Sequence, residues 1–382
     1  MAASVLALPV HKIPAENLLQ RCDAAARAIA AHADAMDRDF TLPLDDIALL
    51  HDAGLLVAPF PSRLGGAEIA RGAGAVCMLG PVLRRLARAS LPIARLYEGH
   101  VNAVGLVIAY GSDAQAGRMA EEAWRGALFG VWAADGDQAL KLRGAAARRV
   151  LEGRKIFCSG AGIVTRPLVT ARDEAGRVWM AIPRMDQGER VDLSGWRAQG
   201  MRASATGIVD FTGIELAPDD IVGEADCYHR QPLFSGGAWR FAAAHLGGME
   251  ALCDLLRDHL NDTKRGADPQ QAARFGEAVI AVETARLWVE RAAELAETSR
   301  QGPDAIATYV NLARCAVERS ALDLLQLVQR SVGLAAFLRP NPIERIARDL
   351  ATYLRQPGPD RALSEGARWA LGQEGAGGMS WD

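Results

Sequence analysis

The sequence predicts an α+β chain of three regions, with a β module set between two helical blocks. Apolar residues recur at three- and four-residue spacing in the outer regions, the signature of amphipathic helices. Between them lie short alternating or β-rich runs, split by Gly, Pro and Asp at turn positions. Length agrees, since 382 residues, half of them hydrophobic and 23% charged, can fill a sizeable core and do not read as a disordered chain. The regions divide as 1–125, helical; 126–230, mostly antiparallel β; and 231–382, a helical bundle.

The first helix is predicted in the Ala-rich run ENLLQRCDAAARAIAAHADAMDRD. A second follows in LPLDDIALLHDAGLL, where Asp45 and Asp46 suit a helix N-terminus and Gly54 suits the stop. GAVCMLGPVLRRLARAS and EGHVNAVGLVIAYG continue the helical rhythm, the latter closing on Gly111. Strands are expected in ALFGVWAA, ARRVLEG, KIFCSG, RPLVTARD, RVWMAIP and TGIVDFTGIEL. After Pro232 three long amphipathic segments, starting at Trp239, Ala273 and Ala305, have the pattern of helices that pack as a bundle.

Bulk properties exclude several classes. The net charge is −3 and the Arg residues are scattered among acids, so no basic face is offered to nucleic acid. Six dispersed cysteines make no CxxC pair, which argues against a zinc knuckle or a disulfide framework and for reduced thiols; no metal site is expected. No apolar run reaches the ~18 residues of a spanning helix. The short apolar start MAASVLALPV lacks a charged leader, so the expectation is a cytoplasmic protein with no membrane partner.

Four strings, in order, resemble the acyl-CoA dehydrogenase superfamily of flavoproteins across nearly the whole chain. HVNAVGLVIAYGSDAQ is similar to its helix ending in YG. EGRKIFCSGAGIVTRPLVTAR is similar to its strand pair, and WRAQGMRASATGIVDFTGIELAPDDIVG to its W-x-x-x-G-M-R element with the strand and exit that follow. VGLAAFLRPNPIERIARDL resembles its C-terminal segment, with Leu334 in place of a second Gly. The resemblance implies an N-terminal helical domain, a middle antiparallel β-domain and a C-terminal four-helix bundle.

It also implies FAD. A flavin ring needs apolar walls and a few aimed hydrogen bonds. By position, Ser159 matches the hydroxyl residue near the reactive flavin nitrogen and Phe157 the aromatic residue of that strand, while Val131 and Trp132 fall where the family has a small residue and a Thr. Arg265, Gln271 and Phe275 in TKRGADPQQAARF, and Arg330 and Gly333 in QRSVG, match the family stretches that hold the cofactor's phosphates and adenine from a neighbouring subunit. A homo-oligomer, tetramer or dimer, is therefore implied.

The family's catalytic glutamate is missing. Dehydrogenation of an acyl thioester needs a carboxylate to take the α-proton. Aligned without gaps, its place is held by Pro357 in the run Gln356-Pro357-Gly358-Pro359, and the alternative place on the bundle's first helix by Trp239, next to Arg240. Trp239 and Arg240 remain candidate substrate contacts. Arg355, Gln356 and Asp360 are the catalytic candidates nearby, with Asp360 the residue able to act as a base; Glu365 reads as a solvated helix residue. His100 and His245 are candidate proton donors for oxygen chemistry, set against the plainer reading of packed core histidines. Three functions follow. The first is an FAD-dependent oxidoreductase acting on an acyl thioester, on CoA or a carrier, with an electron acceptor. The second is a monooxygenase similar to the dibenzothiophene monooxygenase branch, using O2 and reduced FMN or FAD from a reductase. The third is a catalytically silent binding subunit.

Overall fold

The computed structural model describes residues 17–145 and 148–373, so the apolar start lies outside the described residues. The N-terminal region is helical: α1 (Leu18–Asp39), α2 (Leu44–Asp52), a single turn α3 (Gly72–Gly74), α4 (Gly80–Ala89), α5 (Leu91–Tyr110) and α6 (Asp113–Trp124). A π turn over Ala75–Leu79 leads into α4. Ser112 caps α6 through a reciprocal box with Gln115, which stops α5 and α6 from merging into one rod.

Ten strands follow: β1 (Phe129–Trp132), β2 (Lys141–Arg143), β3 (Arg149–Glu152), β4 (Arg154–Cys158), β5 (Arg166–Arg172), β6 (Val178–Ala181), β7 (Val191–Asp192), β8 (Gly207–Asp210), β9 (Ile214–Leu216) and β10 (Ile221–Val222). One sheet runs β10-β6-β5-β2-β3-β9, with β1 also on β5, and a second runs β4-β8-β7. Most pairs are antiparallel. The exceptions, β1 and β2, both pair with β5 in parallel, since each joins it by a crossover rather than a hairpin.

The C-terminal region holds the short α7 (Leu233–Gly236), the long helices α8 (Ala238–Asp262), α9 (Pro269–Thr298) and α10 (Pro303–Val332), and then α11 (Pro342–Tyr353) and α12 (Pro359–Leu371). Helices α8, α9 and α10 pack on one another, and α4 packs on α8, tying the first region to the last. That contact is close because Gly247 lies against α4: a Cβ there would come within 2.4 Å of the Arg84 carbonyl oxygen. Arg84 and Arg88 then reach across to Glu250 and Asp254.

A second clamp joins all three regions. Gly200 lies on α11 so closely that a Cβ would fall 2.1 Å from the Arg348 carbonyl oxygen. The next amide, Met201 N–H, donates to the buried Asp349 at 2.6 Å, and Arg348 reaches back to Asp37 of α1 at 2.7 Å. The strings GMRAS and PIERIARDL are thus two halves of one joint. Arg202 belongs to that joint, with its guanidinium over Phe40 and a donor to the Arg38 carbonyl.

Candidate functional site

A cavity of about 840 Å3 opens where α5, β1, the loop before α8, α10 and α12 meet. It lies in the range typical of small-molecule and cofactor sites. Leu106, Val131, Phe234 and Phe241 give it apolar wall; Asn102, Arg240 and Arg314 supply polar groups.

One wall is a chain of paired charges. Glu98, buried on α5, takes hydrogen bonds from Arg95 and from the Asn102 amide of the same helix. Asn102 in turn accepts from Arg240 at 3.5 Å. Arg240 also bonds to the Ala70 carbonyl at 3.0 Å and to Glu297 at 2.6 Å. Glu297 is closed off by the Trp239 indole and the Gly72 amide, both at 3.0 Å. Charges with so little water must be paired to persist. Tyr228 lies near Arg95 and Glu98, and burial pushes its hydroxyl up to about 12.

At the position of the family's glutamate the cavity presents Pro357 and Gly358. Gly358 sits at φ 62 as the cap of α12 and Pro359 occupies the first turn, so the run is a helix junction. Asp360 is exposed in that first turn and is not on the cavity wall. Arg355 turns to Glu318 at 2.6 Å, and the Gln356 amide donates to the Tyr353 carbonyl at 2.8 Å. The structure therefore brings none of these three to a reacting position.

The histidines are also placed away from the cavity. His100 is fully buried; Nε2 donates to the Leu56 carbonyl at 2.7 Å and Nδ1 accepts from the Phe129 amide at 3.1 Å. Both nitrogens are used in one neutral tautomer, and burial lowers its pKa to about 4. A proton donor needs the opposite. His245 packs edge-on to Tyr353 at 4.5 Å, with Nε2 unpartnered, and burial lowers its pKa to about 3. Trp239, taken above as a substrate contact, is instead buried packing whose indole serves Glu297.

The residues matched to cofactor binding are spread out. Val131 is on the cavity wall. Trp132 is buried and turned away: its indole donates to the Ser159 carbonyl at 3.0 Å, so the cavity is not plugged. Ser159 is half-buried and takes a hydrogen bond from Thr206, while Phe157 is 66% exposed at a bulge with φ 53. Arg265 and Arg330 are exposed, and Gln271 is buried with its carbonyl oxygen unpartnered. Arg330 and Gly333 close α10, sixteen residues beyond Arg314, which is about 24 Å of helix. Arg330 and Gly333 therefore lie at the far end of α10 from its cavity-lining residues. Among the described residues no group of His, Cys, Asp and Glu could hold a metal ion, and no helix is long and apolar enough to cross a membrane.

Helical N-terminal region, β middle and bundled C-terminal region with a cavity at their seam define an acyl-CoA dehydrogenase-type fold. Residues 20–127 match the acyl-CoA dehydrogenase N-terminal domain and residues 231–360 its C-terminal domain; the chain belongs to this family. Dibenzothiophene monooxygenase of Rhodococcus erythropolis is 27% identical over 184 residues, 41% of this chain and 43% of that enzyme, so the match spans less than half of the relative. YdbM of Bacillus subtilis (strain 168), by its name assigned to the acyl-CoA dehydrogenases, is 24% identical over 86% of this chain and 89% of its own. Among solved structures, FMN-bound TdsC from Paenibacillus sp. A11-2 superposes with a TM-score of 0.82 at 20% identity, covering 93% of this chain and 97% of TdsC. Methanesulfinate monooxygenase MsuC from Pseudomonas fluorescens gives 0.80 at 24%, covering 92% and 96%. At such identities the likeness to these structures shows the fold.

Proposed function

We propose that the protein is a flavin-dependent monooxygenase that takes reduced FMN or FAD from a separate reductase. The observation that carries this reading is the missing base: the cavity offers Pro357 and Gly358 where α-proton abstraction needs a free carboxylate, and its one buried acid, Glu98, is held by Arg95 and Asn102. Similarity to dibenzothiophene monooxygenase supports it. Reduced flavin supplies the two electrons and two protons with which O2 gives one oxygen atom to substrate and one to water.

The residues present suit such a ring. The cavity is large enough, Val131 offers an apolar wall, and Trp132 is bonded back to Ser159. Tyr228 keeps its proton at neutral pH and can donate a hydrogen bond into the cavity it lines. Asn102 is locked by Glu98 and Arg240, so that wall does not reorganise when substrate enters. By the family resemblance Arg265, Gln271, Phe275, Arg330 and Gly333 would hold a flavin from a neighbouring subunit, so the proposal includes a homo-oligomer. The exposed Leu334, Phe337 and Leu338 beside Gly333 support that part. A cytoplasmic location is also proposed, where a reductase is at hand.

The full-length match to YdbM favours a second reading, an FAD-dependent acyl-thioester dehydrogenase. The visible spectrum and oxygen uptake separate the two. The monooxygenase is expected to purify nearly colourless, bind reduced FMN and draw down O2 with a reductase present. A yellow protein bleached anaerobically by an acyl-CoA would overturn the proposal. A protein that binds neither oxidised nor reduced flavin would be the silent subunit.

A further inference from the structure

We propose that the cavity is built for an amphiphilic anion, a substrate with an apolar body and a carboxylate, sulfonate, sulfinate or phosphate head that docks on Arg314 and Arg71. Four arginines line the cavity: Arg71, Arg240, Arg314 and Arg361. Two have a carboxylate partner within the protein, Arg240 in Glu297 at 2.6 Å and Arg361 in Glu365 at 3.5 Å. Among the described residues, Arg71 and Arg314 have no carboxylate within ion-pair distance.

Arg314 is half-buried on α10, its guanidinium carbon 5.7 Å from the centre of the Phe241 ring, and one of its five donors goes to the Pro357 carbonyl. Desolvation works against its charge, the nearby Arg361 works against it further, and Cys315 and Glu318 offset this only in part. Glu318 itself is bonded to Arg355. A guanidinium cannot escape by losing its proton, so a ligand anion is the natural partner for its open donors. A second observation points the same way: Arg240 is more than nine-tenths buried on the cavity wall, and its Nε has no partner.

The acids on the wall do not cancel this field. Glu98 is taken by Arg95 and Asn102, and Glu365 by Arg361. Asp304 sits exposed in the first turn of α10. His229, also on the wall, is biased toward its neutral form by burial and by Arg172, and Tyr228 keeps its proton. Leu106, Val131, Phe234 and Phe241 supply the surface for the apolar body.

This names the substrate class of the monooxygenase reading and rests on the cavity being its active site, but the test needs no flavin. Purified apoprotein is titrated with 1-anilinonaphthalene-8-sulfonate and with N-phenyl-1-naphthylamine, the same ring system without the sulfonate. The sulfonate is expected to bind more tightly than the neutral probe. Arg314→Gln should weaken the sulfonate about tenfold or more, and Arg71→Gln less, with the neutral probe unchanged in both. Circular dichroism and melting temperature confirm that each variant is folded. Equal affinity of the two probes for the wild type, no binding of either, or equal loss of both in the variants would overturn the proposal. Titration with FMN and riboflavin covers the other source of an anion. If Arg314→Gln weakens FMN but not riboflavin, the guanidinium serves the cofactor's phosphate and the substrate proposal fails.

Discussion

Replacing His100 with leucine tests whether this ring is a core fastener or a proton donor. The imidazole joins three elements: it sits on α5, donates to Leu56 after α2, and accepts from Phe129 at the start of β1, two residues before the cavity residue Val131. His100→Leu leaves a buried amide and a buried carbonyl unpaired, at about 1–3 kcal/mol each, so about 2–6 kcal/mol is lost at pH 8. The loss must also depend on pH. The folded state holds the ring neutral with a pKa near 4, whereas an unfolded histidine titrates near 6.5. The unfolded chain therefore binds the extra proton, and the ring's stability, fully present above 6.5, drains away as pH falls toward 4. At pH 5 the wild type has given up about 2 kcal/mol. The gap between wild type and His100→Leu should accordingly narrow by about that much between pH 8 and pH 5, read from urea midpoints. A gap that is constant or that widens would show that the ring is not held neutral, and the core assignment would fall.

Removing Arg240 strands Glu297, whose side chain is 5% exposed, so Arg240→Ala should cost about 3 kcal/mol in urea denaturation; Trp239 and Gly72 still hold the carboxylate. Adding Glu297→Gln should recover more than half, and no recovery would refute the pairing. Gly200→Ala forces the GMRAS loop off α11 and should cost about 3 kcal/mol, seen as a drop in melting temperature. Asp349 is raised to about 7, chiefly by burial, against an unfolded value near 3.9, so here the folded state keeps the proton longer and stability declines as pH rises from 4 to 7. Asn can still accept from Met201, so Asp349→Asn should melt higher than wild type at pH 8 and lose most of that advantage at pH 5.

The three-region order was legible because long helices and their caps are local. The Ala-rich α1, the acids that open α2 and the glycine that ends α5 all have their cause within a few residues. Strands β2, β7 and β10 were not legible: LysLeuArg, ValAsp and IleVal are too short to show alternation, and their pairing with β3 and β5, β8 and β6 is set by tertiary register. The parallel partners of β5 lie beyond local pattern for the same reason. In the site, Glu98 carried a readable signal, a carboxylate three residues after Arg95 in a mostly apolar helix. Nothing local distinguishes Arg314 from the other arginines of α10; its open donors exist only because α12 and Phe241 meet it in the fold. Trp239 and Arg240 are adjacent in sequence yet differ in role, since the indole faces Glu297 alone while the guanidinium also borders the cavity.

The aligned Pro357 and the open guanidinium of Arg314 meet at one point of the fold. Arg314 donates to the Pro357 carbonyl, so the backbone at the family's base position is within reach of a fixed positive charge, with Arg361 one turn further along on the same wall. A carboxylate placed there would be ion-paired and held ionised, its pKa pushed down, and a base so neutralised draws an α-proton poorly. Proline removes the side chain that would fill the guanidinium, and Gly358 with Pro359 turns the chain at once into α12, which carries Asp360 away from the cavity and ties Glu365 to Arg361. What the site forgoes as proton-abstracting power it keeps as a vacant anion partner. Under the monooxygenase proposal, chemistry there depends on how a substrate is held against the flavin rather than on a base taking its proton.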